Sequence, residues 1–267
     1  MIAEERKNGI IEILQRDKIV KIETLAEIFG VSEMTIRRDL EKCEHEGFVR
    51  RCHGGAVVKN DILHEIGYAE KKVSNLASKE KIAAFSAGFV KPGSTIYLDA
   101  GTTMLCLAKR LLDVPDLTVI TNDLITANLM AEKSRATIIM LGGTIFNKLA
   151  SAHGYLTERM LQDLRIEIAF VGGCAINEKF DLFTFSDTKV SYYNLLVEQS
   201  NKAYLLVDES KFYRHSLFKI HNLDVYSAVI TDKQVFDSEQ VYLNEKGINF
   251  VSVADWNEAS KELRFVS

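Results

Sequence analysis

The sequence lacks the features that mark membrane, secreted or strongly basic proteins. No apolar run among its 267 residues approaches the roughly 18 residues that a membrane-spanning helix needs. Because the first residues are charged, we expect neither a signal peptide nor an anchor. Four cysteines show no CxxC spacing and predict no metal site: Cys43, Cys52, Cys106 and Cys174. Such scattered thiols are typical of a reduced, cytoplasmic protein.

The chain also has no excess of positive charge. It holds 33 basic and 37 acidic residues, a net charge of −4, so it is not a polycation. Any contact with nucleic acid must therefore come from a local basic surface. We find no internal repeat, low-complexity tract or heptad pattern, and no feature predicts a cofactor.

Two domains are predicted, since the length suits two domains better than one. Residues 1–58 are interpreted as three short helices and a hairpin, residues 59–78 as a polar linker with a short helix, and residues 79–267 as a larger α/β domain. The first domain carries apolar residues at helical spacing, from Ile22 to Phe29.

The segment from Ile22 to Gly47 predicts a helix-turn-helix. Gly30 stops one helix and Ser32 offers a cap for the next. If Ile36, Leu40 and Cys43 face inward, the two arginines that follow Ile36 point away from the core by about 100° and 200°. We expect the acid after them, Asp39, to steer these arginines.

Eight residues of this domain are candidates for contact with DNA, because hydroxyls and amides can hold phosphates while arginine can pair with a guanine edge. They are Ser32, Met34, Thr35, Arg37, Arg38, Arg50, Arg51 and His53. The last three belong to a hairpin that forms a local basic wing. The alternative is a neutral helical interaction module, since residues 1–59 hold 11 basic and 11 acidic residues.

The second domain alternates short apolar runs with stretches of helix length. The runs are Thr95–Leu98, Leu117–Ile120, Thr137–Leu141, Ile168–Val171, Ala203–Val207, Tyr226–Ile230 and Ile248–Val253. This alternation predicts a mostly parallel sheet covered on both faces. Such sheets bind ligands beyond the carboxyl ends of their strands.

Small and polar residues follow five of these runs and predict a cleft for an anion. The first loop, Asp99 to Thr103, combines a glycine for close approach with hydroxyls at a helix start, which suits phosphate. The candidate effector-binding residues are Asp99, Gly101, Thr102, Thr103, Thr121, Asn122, Gly142, Gly143 and Lys211. The alternative for the first loop is a strand-to-helix turn capped for stability.

Both halves resemble the DeoR family of bacterial transcription regulators. The resemblance rests on Val31 to Leu40 and His53 to Ala56, then on Asp99-x-Gly-Thr-Thr, Thr121-Asn122, Gly142-Gly143 and Asp208-x-x-Lys211. It implies a sensor similar to ribose-5-phosphate isomerases and CoA transferases. It also implies a phosphorylated sugar or related metabolite as effector, which relieves repression of a catabolic operon.

The chain departs from the family between residues 180 and 193. Lys189-Val190 and Tyr193 stand where the family has Glu-Ala and a lysine, and Lys71 stands for an arginine. Three aromatic residues of this region either line a less polar pocket or pack the sheet: Phe180, Phe183 and Phe185.

We therefore predict a ligand-controlled repressor without enzyme activity. The runner-up is a sugar-phosphate isomerase-like enzyme fused to a DNA-binding domain, but we find no convincing acid–base pair at a strand end and expect His153, His215 and His221 in loops or helices. A third possibility is a sensor that has lost its ligand. Because one winged helix reads few base pairs, we expect a homo-oligomer on double-stranded operator DNA.

Overall fold

A computed structural model describes residues 3–17, 19–45, 49–52, 55–58, 67–145, 149–235 and 237–258. The chain divides into two compact units, Met1–Ile62 and Leu63–Ser267. Of the predicted linker, residues 67–78 belong to the second unit, where they form one short helix and the start of the next.

The first unit contains three helices and a small antiparallel sheet. The elements are α1 (Ala3–Asp17), β1 (Ile19–Lys21), α2 (Ile22–Phe29), α3 (Glu33–His45), β2 (Val49–Cys52) and β3 (Gly55–Val58). Strand β3 lies between β1 and β2. The predicted inward line of α3, Ile36, Leu40 and Cys43, is fully buried in the core of this unit. The helix-turn-helix with its hairpin is therefore confirmed.

The turn between α2 and α3 is built as the sequence predicts. Gly30 adopts a left-handed φ of 63°, and its N–H donates to the carbonyls of Ala26 and Glu27. The Oγ of Ser32 accepts from the N–H of Thr35 at 3.2 Å, which satisfies one of the free donors at the start of α3. This cap fixes where α3 begins.

A seven-stranded parallel sheet forms the centre of the second unit. In sheet order the strands are β15 (Phe250–Ser252), β14 (Ala228–Thr231), β12 (Ser200–Leu206), β9 (Ile166–Val171), β4 (Thr95–Leu98), β5 (Thr118–Thr121) and β6 (Thr137–Met140). Each of the seven predicted apolar runs supplies one of these strands. All neighbouring pairs are parallel, so the predicted α/β class is confirmed.

Helices enclose this sheet and connect its strands. They are α4 (Tyr68–Val73), α5 (Leu76–Ala87), α6 (Thr102–Arg110), α7 (Leu124–Lys133), α8 (Tyr155–Gln162), α9 (Thr188–Glu198) and α10 (Asp237–Lys246). Alternate residues of β4 enter different cores, since Tyr97 belongs to one apolar cluster while Ile96 and Leu98 belong to another. The sheet is therefore covered on both faces.

Two small antiparallel arrangements were not predicted. Strands β7 (Thr144–Ile145) and β8 (Ala152–His153) form one pair. Strands β10 (Ala175–Ile176), β11 (Asp181–Thr184) and β13 (Phe218–Asn222) form a three-stranded sheet. The second arrangement orders the segment in which the sequence departs from the family.

Candidate functional site

The outer face of α3 carries the helical candidates for DNA contact. Met34 is 61% exposed, and Ser32, Arg37 and Arg38 are also exposed. The Arg37 Nη2 lies 3.2 Å from the Glu33 Oε2, and both side chains are about half exposed. An exposed pair of this kind contributes little to stability, so the arginine is free to exchange a carboxylate for a phosphate.

Asp39 does not have the role that we expected. It is 4% exposed, and its Oδ2 accepts from the Arg6 Nε at 2.6 Å. The prediction that it steers the arginines of α3 was wrong, because Asp39 lies on the inner side of the helix. It ties α3 to α1 instead.

The candidates of the wing are only partly described. Arg50 and Arg51 lie on β2, but their side chains are outside the described part of the structure. His53 lies outside the described residues altogether. The basic wing therefore stays a prediction.

In the second unit, a cavity of about 120 Å³ opens beyond the carboxyl ends of β4, β9 and β12. Four predicted effector residues line it: Gly101, Thr102, Thr103 and Lys211. Helix α6 begins at Thr102, and helix geometry leaves its first N–H groups without acceptors inside the helix. The helix start combines these donors with a favourable dipole, so an anion is stabilised there.

Positive side chains dominate the wall of this cavity. Among the described residues, five line it, namely Lys71, Lys79, Lys189, Lys211 and Arg214, and the one described carboxylate is that of Asp208. Sequence reasoning proposed only Lys211 as a ligand. The other four come from α4, α5, α9 and the loop after β12, and no motif spacing links them. The charge favours an anionic ligand.

Lys79 is the most deeply placed of these cations. It is 3% exposed, and its Nζ donates to the carbonyls of Lys71 at 2.5 Å and Ser74 at 2.6 Å. Burial lowers the pKa of this ammonium, and the nearby Asp208 carboxylate opposes that shift. Lys79 therefore holds the end of α4 in place while adding charge to the cavity.

Asp208 lines the cavity, and one of its carboxylate oxygens has no hydrogen-bond donor among the described residues. It is 1% exposed, and its Oδ1 accepts from the Asn75 Nδ2 and the Ser210 N–H, each at 3.0 Å. Its Oδ2 is buried and accepts no hydrogen bond within the described part of the chain; the Lys211 Nζ lies 4.0 Å away. Buried acceptors are almost always satisfied, so this oxygen suits a donor on a ligand.

Asp99 lies behind the cavity wall rather than on it. Its Oδ2 accepts from the Gly172 N–H at 3.0 Å and the Tyr193 hydroxyl at 2.7 Å, while its Oδ1 accepts from the Ala100 N–H at 2.8 Å. Burial raises the pKa of this carboxyl, and the hydrogen bonds from Tyr193 and Gly172 oppose the rise. Asp99 thus braces the loop after β4 against the loop after β9.

Thr121 and Asn122 are committed to contacts inside the protein. The Thr121 Oγ1 accepts from the Asp123 N–H at 3.0 Å. The Asn122 side chain accepts from the Tyr97 hydroxyl at 2.9 Å and donates to the Ala152 carbonyl at 3.1 Å. Neither lines the cavity. Effector binding by these two residues stays a prediction, and the geometry does not favour it.

Gly142 and Gly143 also lie away from the cavity. The Gly142 carbonyl accepts from the Thr157 hydroxyl at 2.7 Å. A Cβ on Gly143 would collide with that same hydroxyl and come within 2.8 Å of the His153 carbonyl. A packing role thus accounts for Gly143, and effector binding by this pair stays a prediction.

The three phenylalanines of the departing segment have different surroundings. Phe180 is 4% exposed and stacks on Tyr242 with ring centroids 5.8 Å apart. Phe183 meets the edge of His215 at 5.7 Å. Phe185 lines the cavity. The packing alternative therefore describes Phe180, and the pocket alternative describes Phe185.

The described histidines His153, His215 and His221 do not complete an acid–base pair at the cavity. His153 and His221 lie on the short strands β8 and β13, not in loops or helices as we expected, and neither lines the cavity. Within the described ranges, no three histidine, cysteine or acidic side chains come together to hold a metal ion. In the same ranges, no helix is long and apolar enough to cross a membrane.

A winged helix-turn-helix followed by an α/β unit with a cationic cavity defines a DNA-binding regulator with a sensor domain. Two family models match the chain, the DeoR-like helix-turn-helix domain over residues 6–61 and the DeoR C-terminal sensor domain over residues 74–233. The chain belongs to the DeoR family of transcription regulators.

Individual relatives match over almost their whole length. An uncharacterized HTH-type transcriptional regulator of Bacillus subtilis (strain 168), YulB, is 32% identical over 95% of this chain and 98% of its own. The glycerol-3-phosphate regulon repressor of Escherichia coli (strain K12) is 32% identical over 85% of this chain and 90% of its own.

Among solved structures, ribose 5-phosphate isomerase A of Methanocaldococcus jannaschii overlaps 52% of this chain and 55% of its own. The identity is 20% and the TM-score 0.36. A score this low carries no conclusion about shared activity.

Proposed function

We propose that this regulator is a repressor that binds operator DNA as a homo-oligomer in the cytoplasm and releases it when a phosphorylated sugar enters the cavity. The observation that carries the proposal is the cavity itself, where the start of α6 and five cationic side chains meet. A phosphate monoester bears roughly −1.5 to −2 charges at neutral pH and would be stabilised by both.

The phosphate would rest on the N–H groups and hydroxyls at the start of α6. Thr102 is 7% exposed, and its Oγ1 lies 3.4 Å from the Lys71 carbonyl, which places α4 beside this end of the cavity. The sugar hydroxyls would find an acceptor in the Asp208 Oδ2. The glycerol-3-phosphate regulon repressor, named for a phosphorylated polyol, is a relative of this chain and supports the same ligand class.

The DNA contact would be made by the outer face of α3. Its N-terminal residues would enter the major groove, as the recognition helix of this motif does. Arg37 and Arg38 are exposed cations near the start of α3, and each can pair with a guanine edge or a phosphate.

The DNA half of the proposal is tested with an operator selected from random duplex DNA. Arg37→Ala and Arg38→Ala should each weaken binding to the selected sequence by about tenfold or more in a gel-shift titration, since a good base contact contributes about 1–3 kcal/mol. Arg135→Ala removes an exposed charge from the second unit and is the matched control. Specific binding that survives the double change Arg37→Ala/Arg38→Ala would exclude α3 as the recognition helix.

The sensor half is tested by thermal unfolding of the full chain against a panel of phosphorylated sugars and their unphosphorylated parents. A ligand that binds the folded state raises the unfolding temperature. We expect phosphorylated members alone to do so, and Thr102→Val to weaken the shift because it removes a hydroxyl without changing side-chain shape. If the unphosphorylated parent sugars raised the unfolding temperature equally, this would contradict a phosphate-binding site in the cavity.

The enzyme alternative predicts a different result from the same panel. If a stabilising sugar phosphate is converted to an isomer in the presence of the protein, the cavity is catalytic. We expect no turnover, because no histidine among the described residues lines the cavity. The Asp208 carboxylate does line it, but its Oδ1 already accepts from Asn75 and Ser210, and no described histidine stands beside it as an acid–base partner.

A further inference from the structure

Two buried side-chain oxygens that line the cavity have no hydrogen-bond partner among the described residues. One is the Oδ2 of Asp208, and the other is the hydroxyl of Tyr68. Buried polar atoms in native proteins nearly always have a partner, because an unsatisfied one costs free energy. Since both residues line the cavity, we expect the missing partners to belong to its ligand.

The Tyr68 hydroxyl is a hydrogen-bond donor at neutral pH. Burial raises the pKa of this phenol, and the Asp123 carboxylate raises it further. The hydroxyl therefore stays protonated and offers its hydrogen to an acceptor. A phosphate brings strong acceptor oxygens, so the ligand class proposed above suits this donor.

Tyr68 projects into the cavity from a helix that adjoins the start of α6. It precedes Lys71 by three residues, a spacing that places two side chains on one face of a helix, and both residues line the cavity. Thr102, the first residue of α6, lines the same cavity, and its Oγ1 lies 3.4 Å from the Lys71 carbonyl. Helix α4 and the proposed phosphate position are therefore adjacent.

The C-terminal end of α4 is held by hydrogen bonds inside the protein. The Lys79 Nζ donates to the carbonyls of Lys71 and Ser74 at this end. Tyr68 is the first residue of the helix, and its hydroxyl binds none of the described residues. A ligand that accepts from Tyr68 would therefore add a hydrogen bond at the N-terminal end.

That N-terminal end follows the segment that joins the two units along the chain. Strand β3 ends at Val58 and α4 begins at Tyr68, so residues 59–67 connect the helix-turn-helix unit to α4. Among the described residues that line the cavity, Tyr68 comes first in the sequence. It is thus the described cavity residue that is nearest, along the chain, to the DNA-binding unit.

We propose that Tyr68 is an effector-binding residue, whose hydroxyl donates to a phosphate oxygen of the ligand and so fixes the N-terminal end of α4 next to the linker. This inference rests on the proposed function, since it takes the cavity as the effector site. It has two measurable parts, because Tyr68 should contribute both to effector affinity and to the release of DNA.

Tyrosine-to-phenylalanine variants test the first part by titration calorimetry on the full chain. The probes are glycerol 3-phosphate, glucose 6-phosphate and fructose 6-phosphate. Tyr68→Phe should weaken every probe that binds wild type by about tenfold or more, the effect of losing one hydrogen bond to a charged group. The loss should be similar for each probe, since the phosphate is what they share.

Two control variants make the same chemical change away from the cavity. The Tyr226 hydroxyl lies 2.9 Å from the His221 Nε2, and Tyr155 is 78% exposed. Neither residue lines the cavity, so Tyr226→Phe and Tyr155→Phe should leave the affinity for each probe unchanged.

Thermal unfolding without ligand separates a ligand-binding hydroxyl from a structural one. Tyr68→Phe should keep or raise the unfolding temperature, because it removes a buried hydroxyl that has no partner. Tyr226→Phe should lower it, because it removes the hydroxyl that is bonded to His221. A fall for Tyr68→Phe as large as that for Tyr226→Phe would show that the Tyr68 hydroxyl is structural, and would overturn the inference.

Release of the selected operator tests the second part. At a saturating concentration of a probe that binds, the factor by which the probe weakens operator affinity should be smaller for Tyr68→Phe than for wild type. Thr103→Val changes a cavity residue of α6 rather than α4, so it should require more probe but reach the wild-type factor. An equal factor for Tyr68→Phe and wild type would overturn the part that involves α4.

The outcomes of the calorimetry separate this inference from the proposed function. If the probes bind wild type and Tyr68→Phe with equal affinity, water rather than the effector satisfies this hydroxyl, and the inference fails while the sugar-phosphate sensor stands. A loss confined to one sugar would place the contact on a sugar oxygen and overturn the phosphate assignment. Absence of binding by every probe at millimolar concentration overturns both the inference and the proposed function.

Discussion

At the scale of single residues, the hydroxyl of Tyr193 is joined to the buried carboxylate of Asp99 over 2.7 Å. The hydrogen bond ties α9 to the loop that leads into α6. Tyr193→Phe removes this donor without changing side-chain shape, so the free energy of unfolding should fall by about 1.5–3 kcal/mol, the range for a hydrogen bond to a charged group. Urea denaturation measures the change.

Tyr155→Phe is the control for that measurement, because Tyr155 is 78% exposed. Ordinary surface substitutions change the free energy of unfolding by less than about 0.5 kcal/mol. A loss below that level for Tyr193→Phe would show that the Tyr193 hydroxyl adds little to the two backbone N–H groups that bind Asp99.

His221 should make the stability of the protein depend on pH. Its Nδ1 lies 3.0 Å from the Asn194 Oδ1 and its Nε2 lies 2.9 Å from the Tyr226 hydroxyl, which suits a neutral ring. Burial lowers the pKa of this imidazole from 6.5 to about 4. The unfolded chain therefore binds more protons between these two values, so this group's contribution to stability is lost as pH falls from 6.5 towards 4.

The measurement is the free energy of unfolding of wild type and His221→Gln at several pH values. The difference between the two proteins should shrink as pH falls through that window, because only the wild type loses the contribution of a neutral, hydrogen-bonded ring. A difference that stays constant from pH 7 to pH 4 would contradict the lowered pKa.

At the scale of elements, the turn between α2 and α3 depends on a left-handed residue. Gly30 has a φ of 63°, and a Cβ there would meet no other atom within 4 Å. The cost of Gly30→Ala is therefore conformational, and we expect a loss of about 1 kcal/mol in the free energy of unfolding. Gly30→Asn should cost less, since asparagine adopts this conformation more readily. Equal losses for both variants would argue that the turn is not limited by its backbone.

The elements that the sequence predicts well are those with a clear apolar pattern, either a continuous run or a helical spacing. The strands of the parallel sheet are short continuous apolar runs because both faces are buried, and α3 shows its inward line at helical spacing. The β10, β11 and β13 sheet has no such signal. Its strands are two to five residues long, and β11 includes Asp181, whose carboxylate bonds to Asn222 and Lys219.

The residues that line the cavity were predicted only in part, because several of them are far apart in the chain. Motif residues at the start of α6 are adjacent in the chain, so their grouping can be read directly. Lys79 and Arg214 are 135 positions apart in the chain, and they line the same cavity because β12 and β4 lie two strands apart in the sheet. Thr121 and Asn122 stand at a strand end as ligands would, but the local backbone turns both side chains into the protein.

At the scale of the whole molecule, one chain carries a helix-turn-helix unit and a sensor unit with a cationic cavity. Both units match the same family, so a ligand in the second unit should control the first. Such control requires that the ligand bind the DNA-free state more tightly than the DNA-bound state. The factor by which the ligand weakens DNA binding equals the ratio of the ligand's affinities for the DNA-free and DNA-bound states. This factor can be measured without knowing the structural change.

The most direct test is the fluorescence anisotropy of labelled operator DNA bound to the full chain, titrated with phosphorylated sugars and with their unphosphorylated parents. We expect that at least one phosphorylated sugar releases the DNA, that its unphosphorylated parent does not, and that release from the Thr102→Val variant requires a higher concentration of the phosphorylated sugar. Release by the parent sugar, or no release by any phosphorylated member that stabilises the protein, would contradict the account.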